Sequence, residues 1–158
     1  LSGDLTVELF CEVKGTRAYF ATLAPGWSGK DYALEMKGKS YDGTIVPLVI
    51  SLTSQSKNYY PEFDDLSAIF LPGNFYHITV TRTGNDCSLY KNGELIQTIT
   101  LTMAIPLNYR FYLSGGVNTD YTVKPSNQSG AYKMLRAYSR ALTAAEITNH
   151  YNIELAKG

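Results

Sequence analysis

Charge of one sign, cysteine, tryptophan and long apolar runs are all scarce in this sequence. Its 158 residues carry 14 Lys+Arg against 14 Asp+Glu, giving zero net charge, and no basic run interrupts that balance. A domain that holds nucleic acid by neutralising phosphates carries a clear positive excess, so the composition argues against a nucleic-acid partner. Cys11 and Cys87 are too few for a disulfide-built mini-protein, and no C-x-x-C or Cys/His cluster accompanies them as a zinc ligand set. The longest apolar stretch, Ile45 to Ile50, contains Pro47 and falls far short of the roughly 20 residues that span a bilayer, so no membrane insertion is expected. No basic segment precedes an apolar one at the N-terminus, which starts at Leu1. The expectation is a single domain, 1–158, cut from a larger protein.

What is present is apolar and aromatic. The chain is 44% hydrophobic and 18% charged, enough for a core and too little charged for intrinsic disorder. Leu5–Val13 alternates, with Val7, Leu9, Cys11 and Val13 on one face and Thr6, Glu8, Phe10 and Glu12 on the other, the period-2 pattern of a half-buried strand. Phe10 on the polar side predicts that this face is partly covered as well. Further strands are expected at Ala18–Leu23, Tyr32–Met36, Ile45–Leu52, Ser67–Phe70, Phe75–Arg82, Asp86–Lys91, Glu94–Leu101, Tyr109–Leu113 and Tyr132–Tyr138. Gly and Pro punctuate them, at Pro25-Gly26, Asp42-Gly43, Pro72-Gly73, Asn92-Gly93, Gly115-Gly116 and Pro125. Many short strands at even spacing read as a sandwich or barrel.

The middle of the chain reads as a meander. Thr83-Gly84-Asn85 joins two strands and Asn92-Gly93 closes a tight hairpin, because a type I′ turn needs positive φ at both central residues. Cys11 and Cys87 fall on inward faces and are expected to be buried thiols, with pairing left open until strand adjacency is known. Thr143-Ala-Ala-Glu146 is a capping box. It opens a short C-terminal helix whose buried face is expected to run through Ile147, Tyr151 and Leu155.

Three blocks resemble the laminin-G-like, concanavalin A-like jelly-roll superfamily. Leu5-Thr-Val-Glu-Leu-Phe10 is similar to its F-T-[VI]-E-x-W strand. Phe75-Tyr-His-Ile-Thr-Val-Thr-Arg-Thr-Gly84 with Leu89-Tyr-Lys-Asn-Gly-Glu94 is similar to W-H-H-V-A-V-T-Y-D-G and L-Y-V-N-G-E. Leu135-Arg-Ala-Tyr-Ser-Arg-Ala-Leu-Thr-Ala-Ala-Glu-Ile147 is similar to V-R-I-Y-N-R-A-L-S-x-x-E-I. Phe10 and Phe75 stand where the family carries tryptophan. The resemblance implies an all-β, antiparallel two-sheet sandwich of jelly-roll type with one short C-terminal α-helix. It constrains function weakly, since lectins, adhesion modules, pentraxins, virion proteins and some glycanases share the fold.

No enzyme is expected. Laminarinase-type glycanases on this fold carry Glu-x-Asp-x-x-Glu on one strand, where period 2 and a bulge bring nucleophile and acid together, and that motif is missing here. Glu8 and Glu12 are its nearest imitation, and their plainer reading is solvated strand-face glutamates. His77 and His150 lack a Gly-x-Ser-x-Gly partner. His77 is read as a solvated or sheet-covering side chain, and Arg136 and Arg140, flanking Tyr138, as anchors for the loop that leads into the helix.

The binding reading rests on loop aromatics beside amides and acids, because sugars stack C–H faces on rings and hydrogen-bond their hydroxyls to polar neighbours. The candidate ligand-binding residues are Trp27, Tyr32, Asn58, Tyr59, Tyr60, Asn118, Asp120 and Tyr121. Trp27, between glycines in Pro25-Gly-Trp-Ser-Gly29, carries most weight. Calcium is a possible cofactor, with Asp64 and Asp65 as candidate ligands because this hard cation takes oxygen donors; turn-forming acids are the plainer reading. Two function classes remain: a carbohydrate-binding or adhesion module of an extracellular protein, or a structural or host-recognition domain of a phage or other virion. The expected partner is accordingly a glycan or a cell-surface or virion protein, and the expected location is extracellular, at the cell surface or in a virion.

Overall fold

The computed structural model describes residues 4–12, 19–25, 33–38, 46–53, 69–71, 73–100, 109–113, 115–117, 123–125 and 131–157. The strands are β1 (Leu5–Glu12), β2 (Tyr19–Pro25), β3 (Ala33–Gly38), β4 (Val46–Thr53), β5 (Ile69–Phe70), β6 (Phe75–Thr83), β7 (Asp86–Lys91), β8 (Glu94–Thr100), β9 (Tyr109–Leu113), β10 (Gly115–Val117), β11 (Val123–Pro125) and β12 (Tyr132–Tyr138), followed by the helix α1 (Ala144–Leu155). All strand pairings are antiparallel. The expected fold class, all-β with one C-terminal helix, is the one observed.

Two compact units divide the chain. Val13–Pro72 and Ile105–Ser129 contain a five-stranded sheet in the order β5-β4-β3-β2-β9 and the two-stranded β10-β11 ribbon. That ribbon corrects the sequence reading: Gly115-Gly116 and Pro125 were expected to break structure, yet Gly115 pairs with Pro125 and Gly116 with Lys124. A proline at the last position of a strand need not donate to the ladder, which is why Pro125 is tolerated there.

Leu1–Glu12, Gly73–Ala104 and Gly130–Gly158 contain the second five-stranded sheet, in the order β12-β1-β6-β7-β8, together with α1. Register fixes its two faces. Val7 pairs with Val80 and Leu9 with Ile78, while Val80 pairs with Leu89 and Arg82 with Cys87. These residues share one face and are all buried. Both turns of the meander form as expected: Gly84 has φ 56°, and Asn92 and Gly93 have φ 53° and 83°, the pair of positive values that a type I′ turn demands.

Cys11 and Cys87 are buried and free. Cys87 lies opposite Arg82, which lies opposite Leu5. Cys11 is therefore six positions further along β1, roughly 20 Å away at about 3.3 Å per residue. No disulfide can bridge that distance. Burial pushes the Cys11 thiol up to about 12 and the Cys87 thiol up to about 11.

The other face of β1 is covered, as Phe10 led one to expect, and more completely than expected, since the glutamate read as solvated is buried too. Thr6, Glu8 and Phe10 are as buried as Val7 and Leu9, so the strand is covered on both faces. Phe10 meets Phe75 edge-on, with centroids 5.9 Å apart. The cover is the C-terminal segment: Leu142 and Ile147 form an apolar cluster with Tyr90, and Tyr138 packs against it.

Candidate functional site

The polar groups of this unit converge where α1 meets the sheet. The capping box fixes the start of the helix: Thr143 Oγ1 accepts from the Glu146 amide, and Glu146 Oε2 accepts from the Thr143 amide at 2.8 Å. Arg140 grips the same carboxylate through both oxygens, at 2.6 and 2.9 Å. These contacts, with the Arg140 guanidinium first among them, hold Glu146 down to about 2. One strand further in, the buried Thr6 hydroxyl donates to the Arg140 carbonyl and accepts from the Leu142 amide, both at 2.9 Å. The loop into the helix is thereby tied to β1.

The helix then lies across the Asn92-Gly93 turn. Thr148 Oγ1 donates to the Gly93 carbonyl at 2.8 Å. On the other side of the turn, Asn92 Oδ1 accepts from the His77 amide at 3.0 Å, and the Asn92 amide donates to the His77 carbonyl at 2.8 Å. A tight turn is required here because the helix occupies the space a side chain at position 93 would need. At the far end of the helix, Arg136 and Lys157 both donate to Glu154 Oε1 at 2.7 Å. The Lys157 hydrogen bond leads in holding the Glu154 carboxyl low against its burial, with Arg136 adding to it. Arg140 anchors the loop into the helix as expected, whereas Arg136 ties down the far end of the helix rather than that loop.

Between these anchors lies an acid–base cluster that the sequence reading missed. Glu8, expected to be solvated, is fully buried, as is His77. His150 Nδ1 approaches Glu8 Oε1 and Oε2 at 3.1 and 3.0 Å. His77 Nε2 stands 3.4 Å from Oε1, an electrostatic approach rather than a formed hydrogen bond, and neither ring nitrogen of His77 has a hydrogen-bond partner. Burial pushes the Glu8 carboxyl up, but the contacts with His77 and His150 more than offset it, and the group rests below its ordinary value of 4.5. An ionised carboxylate only accepts, so His150 Nδ1 carries the proton between them. The rings are held by stacking, His77 on Tyr151 at 5.9 Å and His150 on Tyr138 at 6.1 Å. Burial, and then the charge of Glu8, raise the Tyr138 phenol.

The helix face toward the sheet is thus Ile147, His150, Tyr151 and Glu154. Leu155, expected to continue the apolar stripe, is 57% exposed. Glu154 takes its place because Arg136 and Lys157 neutralise it there. Glu8 and His77 offer no surface to a substrate; the Glu8 carboxylate holds the helix through His150, and the His77 ring holds it by stacking on Tyr151. Among the described residues no three His, Cys, Asp or Glu side chains are arranged to bind a metal ion. The sequence-derived ligand candidates Trp27, Tyr32, Asn58, Tyr59, Tyr60, Asn118, Asp120 and Tyr121, and the calcium candidates Asp64 and Asp65, all lie outside the described residues. Among the described residues no helix is long and apolar enough to cross a membrane.

Comparison with known proteins separates fold from sequence. No curated protein sequence matches the chain. Among solved structures, the receptor-binding domain of botulinum neurotoxin mosaic serotype C/D matches with a TM-score of 0.63 at 10% identity, over 97% of this chain and 37% of that one. Botulinum neurotoxin type C, in a structure described as showing that its route into cells depends on interaction with two ganglioside molecules, gives 0.60 at 11% identity, over 97% and 36%. Domain 4 of AbnA, a GH43 extracellular arabinanase from Geobacillus stearothermophilus, in complex with arabinotriose, gives 0.63 at 19% identity, over 94% and 66%. The chain spans little more than a third of the botulinum chains it matches, and at these identities the likeness establishes the fold. The family model for the concanavalin A-like lectin/glucanases superfamily matches residues 1–148, and the chain belongs to that family.

Proposed function

We propose that this chain is a non-catalytic carbohydrate-binding or adhesion module of a larger extracellular protein, with a glycan or a glycan-bearing surface protein as its partner. The observation that carries the reading is the fold shared with domain 4 of an extracellular arabinanase in complex with arabinotriose. The receptor-binding domain of a botulinum neurotoxin on the same fold adds to it. Two features of the chain agree. The retaining-glycanase carboxylate motif is missing from the sequence, and the Glu8–His77–His150 cluster is spent on holding a helix. Recognition then falls to the loop aromatics, with Trp27 stacking on a sugar face and Asn58, Asn118 and Asp120 fixing hydroxyls.

The test is a glycan array followed by titration calorimetry with arabino-oligosaccharides and ganglioside oligosaccharides. Trp27→Ala is expected to weaken binding by about tenfold or more, since a stacked indole contributes on the order of 1.4 kcal/mol or above. Binding that survives this substitution unchanged removes Trp27 from the site. No glycan bound, together with tight self-association, would favour the virion reading instead. Affinity that is unchanged by a chelator dismisses Asp64 and Asp65 as calcium ligands.

A further inference from the structure

Glu8 on β1, His77 on β6 and His150 on α1 place one carboxylate between two imidazoles where the helix meets the sheet. We propose that this cluster is an acid-sensitive latch, in which uptake of a second proton releases α1 from the sheet.

The argument is a charge count in a closed space. With both imidazoles neutral, the cluster carries the single negative charge of Glu8. One proton shared with the imidazoles makes it neutral, and the carboxylate is in contact to balance it. A second proton leaves an uncompensated positive charge in a seam where Glu8 and His77 have no solvent exposure. Among the described residues, the next carboxylate on this face of β1, Glu12, lies beyond Phe10, opposite Phe75, and the charged groups of β12 and α1 do not balance the charge. From β12, Arg136 adds positive charge and is already committed to Glu154, while Tyr138 is a neutral phenol stacked on His150. Lys133, also on β12, sits over the Phe10 and Phe75 rings at 5.7 and 4.7 Å, on the aromatic side of His77. From α1, Tyr151 is stacked on His77, and Glu154 is engaged by Arg136 and Lys157. A newly protonated His77 would also bury an N–H with no acceptor, because both its ring nitrogens lack hydrogen-bond partners already.

Release of α1 solves both problems, since it carries His150 and the Tyr151 lid away and admits water to His77. The sign follows from linkage. Opening replaces a dry seam with water around both imidazoles, so a second positive charge costs less there and acidification favours opening. The range to examine is about pH 8 to about pH 5, over which an unperturbed imidazole in water gains its proton. Glu8 stays ionised through it, because its carboxyl is held below 4.5; its own contribution is lost only as pH falls further, through that lowered value.

The experiment is hydrogen exchange on the 158-residue chain across this window, corrected for the intrinsic pH dependence of exchange and read at the amides of α1 against those of β6 and β7. Protection of α1 relative to the sheet is expected to fall by about tenfold or more as pH drops, with the sheet unchanged. His77→Phe keeps the stacking ring and removes the second base, so it is expected to keep α1 protected throughout. His150→Asn keeps an N–H at the Nδ1 position, removes one base, and is expected to flatten the profile in the same way; it answers the question if His77→Phe fails to fold. Relative protection of α1 that is independent of pH in the parent chain, or that falls as steeply in the variants, overturns the latch.

Discussion

Replacing Gly93 with alanine separates the strain of a turn from the docking of a helix. The residue has φ 83°, where a side chain costs about 1–2 kcal/mol from its clash with the backbone. A Cβ would also lie 3.2 Å from Thr148 Cα, 3.2 Å from Tyr151 Cδ1 and 3.3 Å from Tyr151 Cβ. Tyr151 can turn only by giving up its stack on His77. Thr148 Cα is helix backbone and moves only if α1 moves. Overpacking of this kind costs about 1–3 kcal/mol, so Gly93→Ala is expected to destabilise by about 2–5 kcal/mol in all. Gly84→Ala is the control: φ is 56° there, and nothing lies within 4 Å of the added atom. It should cost the strain alone, about 1–2 kcal/mol. Urea unfolding followed by far-ultraviolet circular dichroism measures both. Hydrogen exchange should show the excess at position 93 concentrated in α1. Equal losses for the two variants would refute the claim that the helix is seated on this turn.

Thr143→Ala removes the hydroxyl that accepts from the Glu146 amide and is expected to cost about 1 kcal/mol, read as a lower urea midpoint with an unchanged slope. Cys11 and Cys87, buried and held up to about 12 and about 11, should resist alkylation in the native protein at mildly alkaline pH. Both should label fully in denaturant without reductant, and a disulfide would instead appear as two thiols that label only after reduction.

Much of the local structure was legible because its causes are local. Positive φ at Asn92 and Gly93 follows from residue type, the capping box from Thr143 and Glu146, and the β1 pattern from a period of two. The expected boundaries of the strands at Asp86–Lys91, Tyr109–Leu113 and Tyr132–Tyr138 are those observed. The β10-β11 ribbon was not legible, because a Gly-Gly pair and a terminal proline become strand only when each finds the other as a partner.

Glu8 marks the boundary between what the sequence determined and what tertiary structure decided. By itself the sequence determined that Glu8 faces away from Val7 and Leu9, since alternation is a property of the extended backbone. Whether that second face meets water or protein depended on a helix more than 130 residues downstream, where His150 bonds to Glu8 across 142 positions of chain. An isolated glutamate on a strand is most cheaply solvated; one bracketed by two imidazoles can be buried, because its charge is matched there. That bracketing exists only once β1, β6 and α1 are assembled, and no pattern within any one of the three segments could have announced it.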